Sequence, residues 1–487
     1  MQKKYTLRLY NTLTRKDKEI TPSDNKTIRM YTCGPTIYDF SHIGNFRTFL
    51  FEDVLRRTLE MFSFPLVQVM NLTDIDDKTI RGAIAKKIPL KSYTDQFKEA
   101  FFQDLATLRI ERAEEYPEAT QYIKQMIEMV EVLLKKGFAY TDAEGSVYFA
   151  ISKFKEYGKL SHLDLSTLRE GASGRVAKDE YEKEGVADFV LWKAYSKERD
   201  GDVFWESPWG KGRPGWHLEC SVMAKHLLGD TIDLHAGGVD LIFPHHENEI
   251  AQSEAATGKI FALHWAHAKH LLVDHKKMSK SLGNFYTLRD LLAKGFIPSS
   301  IRYFLISTHY RTQLNFTFQG VEGATTSVKR IRDFYARLQD GTAGPASSKV
   351  NTLVDTTEDM FCTALASDLN ISEALAALFD FIRHGNALLD ENKASPHDIF
   401  LMKRCMEKVD SVLAVLQPDD ERIPEEIETL LHQREVARKQ KNWKQSDTLR
   451  DSLKEKGFLV EDTPQGQRVS RCMHILVQES SFTDDNA

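Results

Sequence analysis

The chain has 487 residues, with 65 Lys+Arg against 71 Asp+Glu, a formal net charge of −6, 41% hydrophobic residues and 10% aromatics. At ~150 residues per domain this length implies about three domains, and the composition is too apolar for an intrinsically disordered chain. No run of about 18 apolar residues reads as a membrane span, and Lys3-Lys4 lead into no apolar segment, so no secretory signal is expected. A net negative chain is no general nucleic-acid coater, yet one face can still carry a positive field. The five cysteines, Cys33, Cys220, Cys362, Cys405 and Cys472, are odd in number and widely spaced. They argue for a reducing cytoplasm and against a disulfide scaffold.

Residues 5–10 and 27–33 read as short strands, the second ending at Gly34-Pro35. Phe46 to Phe62 carries apolar residues at helical spacing, and Pro65 to Met70 reads as another strand. Strand, helix and strand in succession form a βαβ unit, so an α/β fold with a parallel sheet is expected. Residues 94–137 look helical and charged; residues 138–215 mix short strands with Gly-, Lys- and Glu-rich loops and read as an insertion that delays completion of the sheet. Strands return at 231–235 and 270–273. From about 320 the pattern is helical, with Asn370 as an N-cap and Glu373 three residues on. Pro418 marks a break before a small C-terminal unit.

Two motifs carry candidate chemistry. Gly34 to Asn45 joins the first βαβ strand to its helix, where open α/β sheets bind ligands and helix N-termini offer free N–H groups to phosphates. Gly44 permits close approach of a base or a phosphate, and His42 and Asn45 can donate hydrogen bonds. A capped loop with a structural histidine is the alternative. His275 to Asn284 follows the strand at 270–273 and spaces Lys277 and Lys280 with small hydroxyl residues. It can close over a triphosphate, or be a solvated basic loop.

His42-Ile43-Gly44-Asn45 followed about 235 residues later by Lys277-Met278-Ser279-Lys280-Ser281 resembles the signature pair of class I aminoacyl-tRNA synthetases. That resemblance implies a Rossmann-type catalytic domain making an aminoacyl-adenylate from ATP, with Mg²⁺ accompanying the ATP and Lys280 as the loop lysine that contacts it. The family's first signature commonly ends in His, whereas position 45 here is Asn. An amide donates a hydrogen bond but delivers no proton at neutral pH. Position 45 would then act by polar stabilisation, which suits a reaction limited by alignment and charge neutralisation.

Pro214 to Cys220 and Phe243 to Glu249 add metal-ligand types. If a helix opens after Pro244, His245 and Glu249 stand at i and i+4 and share a face. With Cys33 and Cys220 they make a four-ligand zinc set; singly, a cysteine is more often a small buried hydrophobe. Tyr31 to Thr36, Asn71 to Lys78, Pro214 to Cys220 and Pro244 to Gln252 together resemble the cysteinyl-tRNA synthetase family, over residues 5 to about 468. The resemblance implies zinc, one ion per chain, on Cys33, Cys220, His245 and Glu249. Zinc prefers a soft thiolate to an alcohol, and so would reject serine where a hydrophobic pocket discriminates weakly. It also implies that Gly238 and Asp240 meet adenosine and ribose, and that Thr73, Asp74 and Trp216 line the amino-acid pocket. A turn with a helix cap, an acidic loop and a core tryptophan are the respective alternatives.

Residues 429–457 hold eight cations against four anions, with Trp443 among them. A solvated charged helix is one reading. The family resemblance makes this the anticodon-binding end, with Arg438, Trp443, Asp447 and Arg450 as contacts, by basic groups on phosphates and planes on unpaired bases. Where the family often has a Trp beyond Gly466, this chain has Arg468 to Arg471. The expected organisation is a catalytic domain in two halves, 1–125 and 216–270, split by an insertion at 126–215. A signature-loop and stem-contact region follows at 271–320, a helical bundle at 321–420, and an anticodon-binding domain at 421–487 with a disordered tail. The resemblance thus implies a cytoplasmic, monomeric cysteine–tRNA ligase acting on L-cysteine, ATP and tRNA(Cys), with no membrane partner. A ligase passing cysteine to a small amine and a non-catalytic tRNA-binding protein are the rivals.

Overall fold

Four strands, β1 (Ile28–Thr32), β2 (Leu66–Met70), β3 (Ile232–Gly238) and β4 (Ala262–Ala268), form an all-parallel sheet in the order β4–β3–β1–β2. Met30 lies opposite both Gln68 and Leu234, and Thr32 opposite Met70 and Ala236. Parallel pairing brings all four carboxyl ends to one edge, where Cys33, Thr73 and Gly238 emerge together. The computed structural model describes residues 5–163, 188–340, 344–419, 425–440, 442–455, 458–463 and 466–471. Lys441, Lys456, Cys472 and the polar tail from Glu479 lie outside the described residues.

Helix α1 (Ile43–Met61) crosses from β1 to β2. It begins three residues before the sequence pattern suggested, because His42 and Asn45 form a capping box that periodicity does not register. Phe46, Phe49, Leu50 and Val54 are buried along it, each contributing about 1.5–3 kcal/mol. The stretch read as helical over 94–137 is two helices, Leu90–Thr107 and Ile123–Lys135. Between them the chain runs alongside β2, bridging Val69 to Glu115 and Leu72 to Glu118.

The insertion is a four-stranded antiparallel sheet of Ala139–Thr141, Val147–Phe149, Phe189–Ala194 and Gly212–Pro214. It delivers the chain to α2 (Trp216–Leu228), after which β3 rejoins the parallel sheet. A turn containing the cis Phe243–Pro244 bond precedes α3 (Glu247–Thr257). Beyond β4, the short strand β5 (Leu271–Val273) pairs with Lys276–Lys277 and with Leu314–Phe316.

Helices α4 (Pro298–Ile306), α5 (Phe318–Asp340), α6 (Ser348–Ala366), α7 (Ile371–Asp390) and α8 (Pro396–Leu413) follow. The Asn370 side chain caps α7 by accepting from the Glu373 N–H, as the local sequence rule predicts. The bundle shares one apolar core with α1, running from Leu50 and Leu55 through Phe304 and Phe334 to Phe381 and Met406. The C-terminal unit comprises α9 (Glu425–Lys439), α10 (Trp443–Glu455) and a hairpin of Phe458–Thr463 with Gly466–Arg471. It has its own small core of Ile427, Leu431, Leu453 and Val460.

Candidate active site

His42 is the N-cap of α1: its Nδ1 accepts from the Asn45 N–H at 3.1 Å, and Asn45 Oδ1 accepts from the His42 N–H at 3.1 Å. With Nδ1 accepting, the ring proton resides on Nε2. Burial brings the His42 pKa down to about 4, so the ring is a neutral donor at physiological pH. The Asn45 oxygen is committed to the cap, and its amide N–H groups are what position 45 presents. A Cβ on Gly44 would stand 2.9 Å from His42 Nδ1 and 3.1 Å from Met278 Cε. Glycine there lets the second motif close against the first.

That second motif is held in shape by Asn284, whose Oδ1 accepts from the Ser279 N–H at 2.8 Å and whose Nδ2 donates to the Lys277 carbonyl at 3.2 Å. Phe285 sits edge-on to His42 at 5.1 Å, and the Ile43 N–H donates to the Tyr286 carbonyl at 3.0 Å. Lys280 Nζ pairs with Asp39 Oδ2 at 2.5 Å and lies 5.0 Å from the Phe285 ring centre. The Asp39 hydrogen bond is the leading cause of a raised Lys280 pKa. Lys277 is exposed on the same loop. Two motifs far apart in sequence are therefore one surface.

Gly238 ends β3, so Gly237 and Gly238 lie within the strand, and Val239 and Asp240 follow it. A Cβ on Gly238 would meet Asp240 Oδ1 at 2.5 Å and Thr48 Oγ1 of α1 at 3.6 Å. Asp240 also acts electrostatically on His42, so both border the same space. Thr73 Oγ1 donates to Glu219 Oε2 at 2.9 Å. Asp74 is occupied by Thr120, accepting from its N–H at 2.9 Å and its hydroxyl at 2.5 Å, and burial raises its pKa. Trp216 opens α2 with its ring 4.2 Å from that of His245.

Beneath these groups lies a fully buried donor cluster. One ligand atom from each of Cys33, Cys220, His245 and Glu249 lies within 4.8 Å of the others. Cys33 leaves β1, Cys220 rides on α2, and the turn into α3 places His245 Nε2 3.0 Å from Glu249 Oε1. Burial opposes ionisation of Glu249, but His235 and His245 bring its pKa down to about 2. Burial pushes the Cys33 thiol well up, whereas Cys220 is lowered through Cys33 and His245 despite its own burial. Two thiolates and a carboxylate at this depth need a cation's charge to coexist. Soft sulfur with imidazole and carboxylate suits zinc.

Histidines surround that set. His235 Nε2 lies 3.0 Å from Glu249 Oε2, His217 Nδ1 lies 2.9 Å from His245 Nδ1, and His246 Nε2 lies 3.3 Å from Cys33 Sγ. His246 Nδ1 continues to His267 Nε2 at 2.8 Å, and His267 Nδ1 to Thr12 Oγ1 at 2.7 Å. Cys33, His235, His246 and Glu249 form a second donor group of the same compactness. Sequence reasoning left His217, His235 and His246 without roles and missed His267, Glu219 and Asp39. The excess of histidine between 217 and 270 was the available signal.

In the C-terminal unit, Arg438 lies 5.7 Å from the ring centre of the exposed Trp443. Arg450 pairs with Asp447 at 3.0 Å. Trp443, Asp447 and Arg450 are spaced to share one face of α10.

Comparison with known proteins places these features. Residues 19–326 match the family model of the tRNA synthetases class I (C) catalytic domain, residues 360–417 the DALR domain, and residues 420–469 the cysteinyl-tRNA ligase anticodon binding domain. A cysteine–tRNA ligase of Protochlamydia amoebophila is 57% identical over 96% of this chain and 98% of its own. That of Chlamydia pneumoniae is 53% identical over 95% of this chain and 98% of its own. Among solved structures, Mycobacterium tuberculosis methionyl-tRNA synthetase in complex with methionyl-adenylate aligns with a TM-score of 0.58 at 13% identity. The alignment covers 80% of this chain and 90% of that one, and it shows a shared class I fold. With catalytic, connecting and anticodon-binding models matched in order, and relatives above half identity along nearly the whole length, the chain belongs to the cysteine–tRNA ligases.

Proposed function

We propose that the buried cluster is the cysteine-selecting floor of this ligase and that the two signature motifs above it carry the ATP chemistry. The observations that carry the reading are the convergence of Cys33, Cys220, His245 and Glu249 at the carboxyl edge of the sheet, and the contact of His42 with the Lys280 loop on the helix that follows the same strand. Those four residues would hold one zinc ion. When bound there, zinc supplies a site that favours a thiolate over an alcohol. Trp216, packed against His245, and Thr73, fixed by Glu219, border the cysteine side chain; Asp74, braced by Thr120, supports that wall.

The cysteine carboxylate attacks the α-phosphorus of ATP, and pyrophosphate leaves as its Mg²⁺ complex. His42 donates from neutral Nε2 and Asn45 from its amide, so both stabilise phosphate oxygens without transferring a proton. Gly44 and Gly238 let the nucleotide approach the backbone, and Asp240 accepts from the ribose hydroxyls. Lys280 exchanges Asp39 for the phosphates, and Lys277 adds a second charge to the departing group. The 3′-terminal ribose of tRNA(Cys) then takes the acyl group, while Arg438, Trp443, Asp447 and Arg450 engage the anticodon. Reduced thiols at the floor, where Cys33 and Cys220 are free of disulfides, suit the cytoplasm. Among the described residues no helix is long and apolar enough to cross a membrane.

The test is cysteine-dependent ATP–pyrophosphate exchange followed by charging of tRNA(Cys), each repeated with serine. Exchange with cysteine, none with serine, and zinc at one ion per chain are expected. Equal exchange with serine, or full cysteine exchange in zinc-free protein, overturns the assignment of the floor. Exchange without charging favours the small-amine ligase.

A further inference from the structure

The end of α8 and the connector to the C-terminal unit are gripped by arginines from the catalytic half and from α5 of the bundle. Arg57 of α1 donates to the Ser411 carbonyl at 3.0 Å. Arg302 of α4 donates to the Leu413 carbonyl at 2.6 Å and the Val412 carbonyl at 3.2 Å. Arg109, in the turn after the helix Leu90–Thr107, donates to Ala414 at 3.2 Å and Pro418 at 2.8 Å. Arg332 of α5 donates to Val415 at 2.8 Å and to Gln417 at 2.5 Å. Cationic side chains commonly satisfy the last carbonyls of a helix. Here the grip continues well past the end of α8, and no helix-capping requirement explains that extension.

It ends on Asp419, whose side chain is only 4% exposed. Its Oδ1 accepts from the Ser299 N–H at 3.0 Å and from Arg109 at 3.2 Å; its Oδ2 accepts from the Ser299 hydroxyl at 2.6 Å and from Arg332 at 3.1 Å. A carboxylate this buried and this fully met is a fixed point of the backbone. The match to the anticodon-binding family begins at the next residue, 420. The collar is also tied into the catalytic half: Arg302 and Arg57 share Asp53 of α1, at 2.5 and 2.9 Å, and α1 is the helix capped by His42.

We propose that Asp419 is a positioning residue that fixes the point from which the anticodon-binding unit leaves the rest of the chain, so that one tRNA reaches both. The inference rests on the proposed function in that tRNA charging is its readout. Fixing the exit point shortens the free connector and so prepays part of the entropy that a longer one would lose on binding a ligand at two separated places.

The experiment compares parent, Asp419→Asn and Ser299→Ala by ATP–pyrophosphate exchange without tRNA and by steady-state charging. Asp419→Asn keeps the size of the side chain but replaces one charged acceptor oxygen with an NH₂ group that faces donors. Exchange stays within about twofold of the parent, while KM for tRNA rises about tenfold with kcat little changed. Ser299→Ala removes one neutral donor, does not threaten the fold, and moves KM in the same direction by about threefold. Parallel losses of exchange and charging in both variants indicate general destabilisation and overturn the proposal, as does unaltered charging. Parent protein without cysteine-dependent exchange overturns the functional reading and this inference with it; an active parent with unaffected variants overturns this inference alone.

Discussion

Cys220 and Glu249, at the floor of the candidate site, are 1% and 0% exposed, whereas the Lys280 side chain on the loop above is 61% exposed. The floor is assembled from strand ends and two helices whose positions the sheet dictates, and its polar atoms meet one another or the surrounding histidines. The loop is held by its short pairing with β5, by Asn284, by the Lys280–Asp39 pair and by ring contacts. Choosing a thiol over a hydroxyl needs donors that are dry and already in place, because water would level the difference between sulfur and oxygen. Neutralising a leaving pyrophosphate needs charges that meet phosphate and then release it, which water-exposed lysines can do.

The floor is expected to fail most steeply. Cys220→Ser replaces a soft ligand of the proposed site with a poor one. It should abolish stoichiometric zinc and lower cysteine-dependent exchange by about a thousandfold, since a lost metal contact of this kind is worth several kcal/mol. Metal analysis and exchange measured on the same preparation check the coupling; normal zinc with lost exchange would break the assignment of Cys220 as a ligand. Lys280→Ala probes the other region. Loss of one preorganised charge at the leaving group should reduce the exchange rate by about a hundredfold, with zinc content and the KM for cysteine unchanged. A coupled change in metal content would show that loop and floor are not separable.

How far each region is legible in the sequence follows from how local its geometry is. His245 and Glu249 are one helical turn apart, so spacing alone places them together. The caps at Asn370 and at the head of α1 are also local, although a histidine as N-cap hid the second of these. Cys33 and Cys220 meet only because β1 and α2 converge at one sheet edge, and residue types without a fold do not show that. The pairing of Asp39 with Lys280 spans 241 positions and rests on two exposed side chains, so no pattern announces it. His217, His235 and His267 each sit singly on a different element and look like core histidines until the elements pack. The extended run beside β2 was absorbed into a helical reading of 94–137, since Pro117 was the one local sign against it.

The two regions also differ in their response to acid at the rim. His42 has a pKa near 4 in the fold because burial disfavours the imidazolium, against about 6.5 in an unfolded chain. Between those values the unfolded chain takes up a proton that the native protein refuses. Stability therefore falls as pH drops from about 6.5 towards 4 and levels off below. Urea midpoints across that range should fall less steeply for His42→Asn than for the parent. The same ionisation lies too low to govern turnover at neutral pH, so the exchange rate should show no inflection from His42 between pH 6 and 8.

The smallest effect expected is at Asp39, and it separates a loop that is merely placed from one that is latched. Asp39→Asn removes the charge that holds Lys280 while keeping the shape of the side chain. An ion pair with one partner this exposed contributes at most about 1 kcal/mol, which is about fivefold in any equilibrium it opposes. Under the proposed function ATP wins Lys280 from Asp39, so the KM for ATP in the exchange reaction should fall by less than about fivefold, with the KM for cysteine unmoved. A rise in the KM for ATP would mean that the pair holds the loop ready over the site, and the contrast between a fixed floor and a loosely held rim would have to be redrawn.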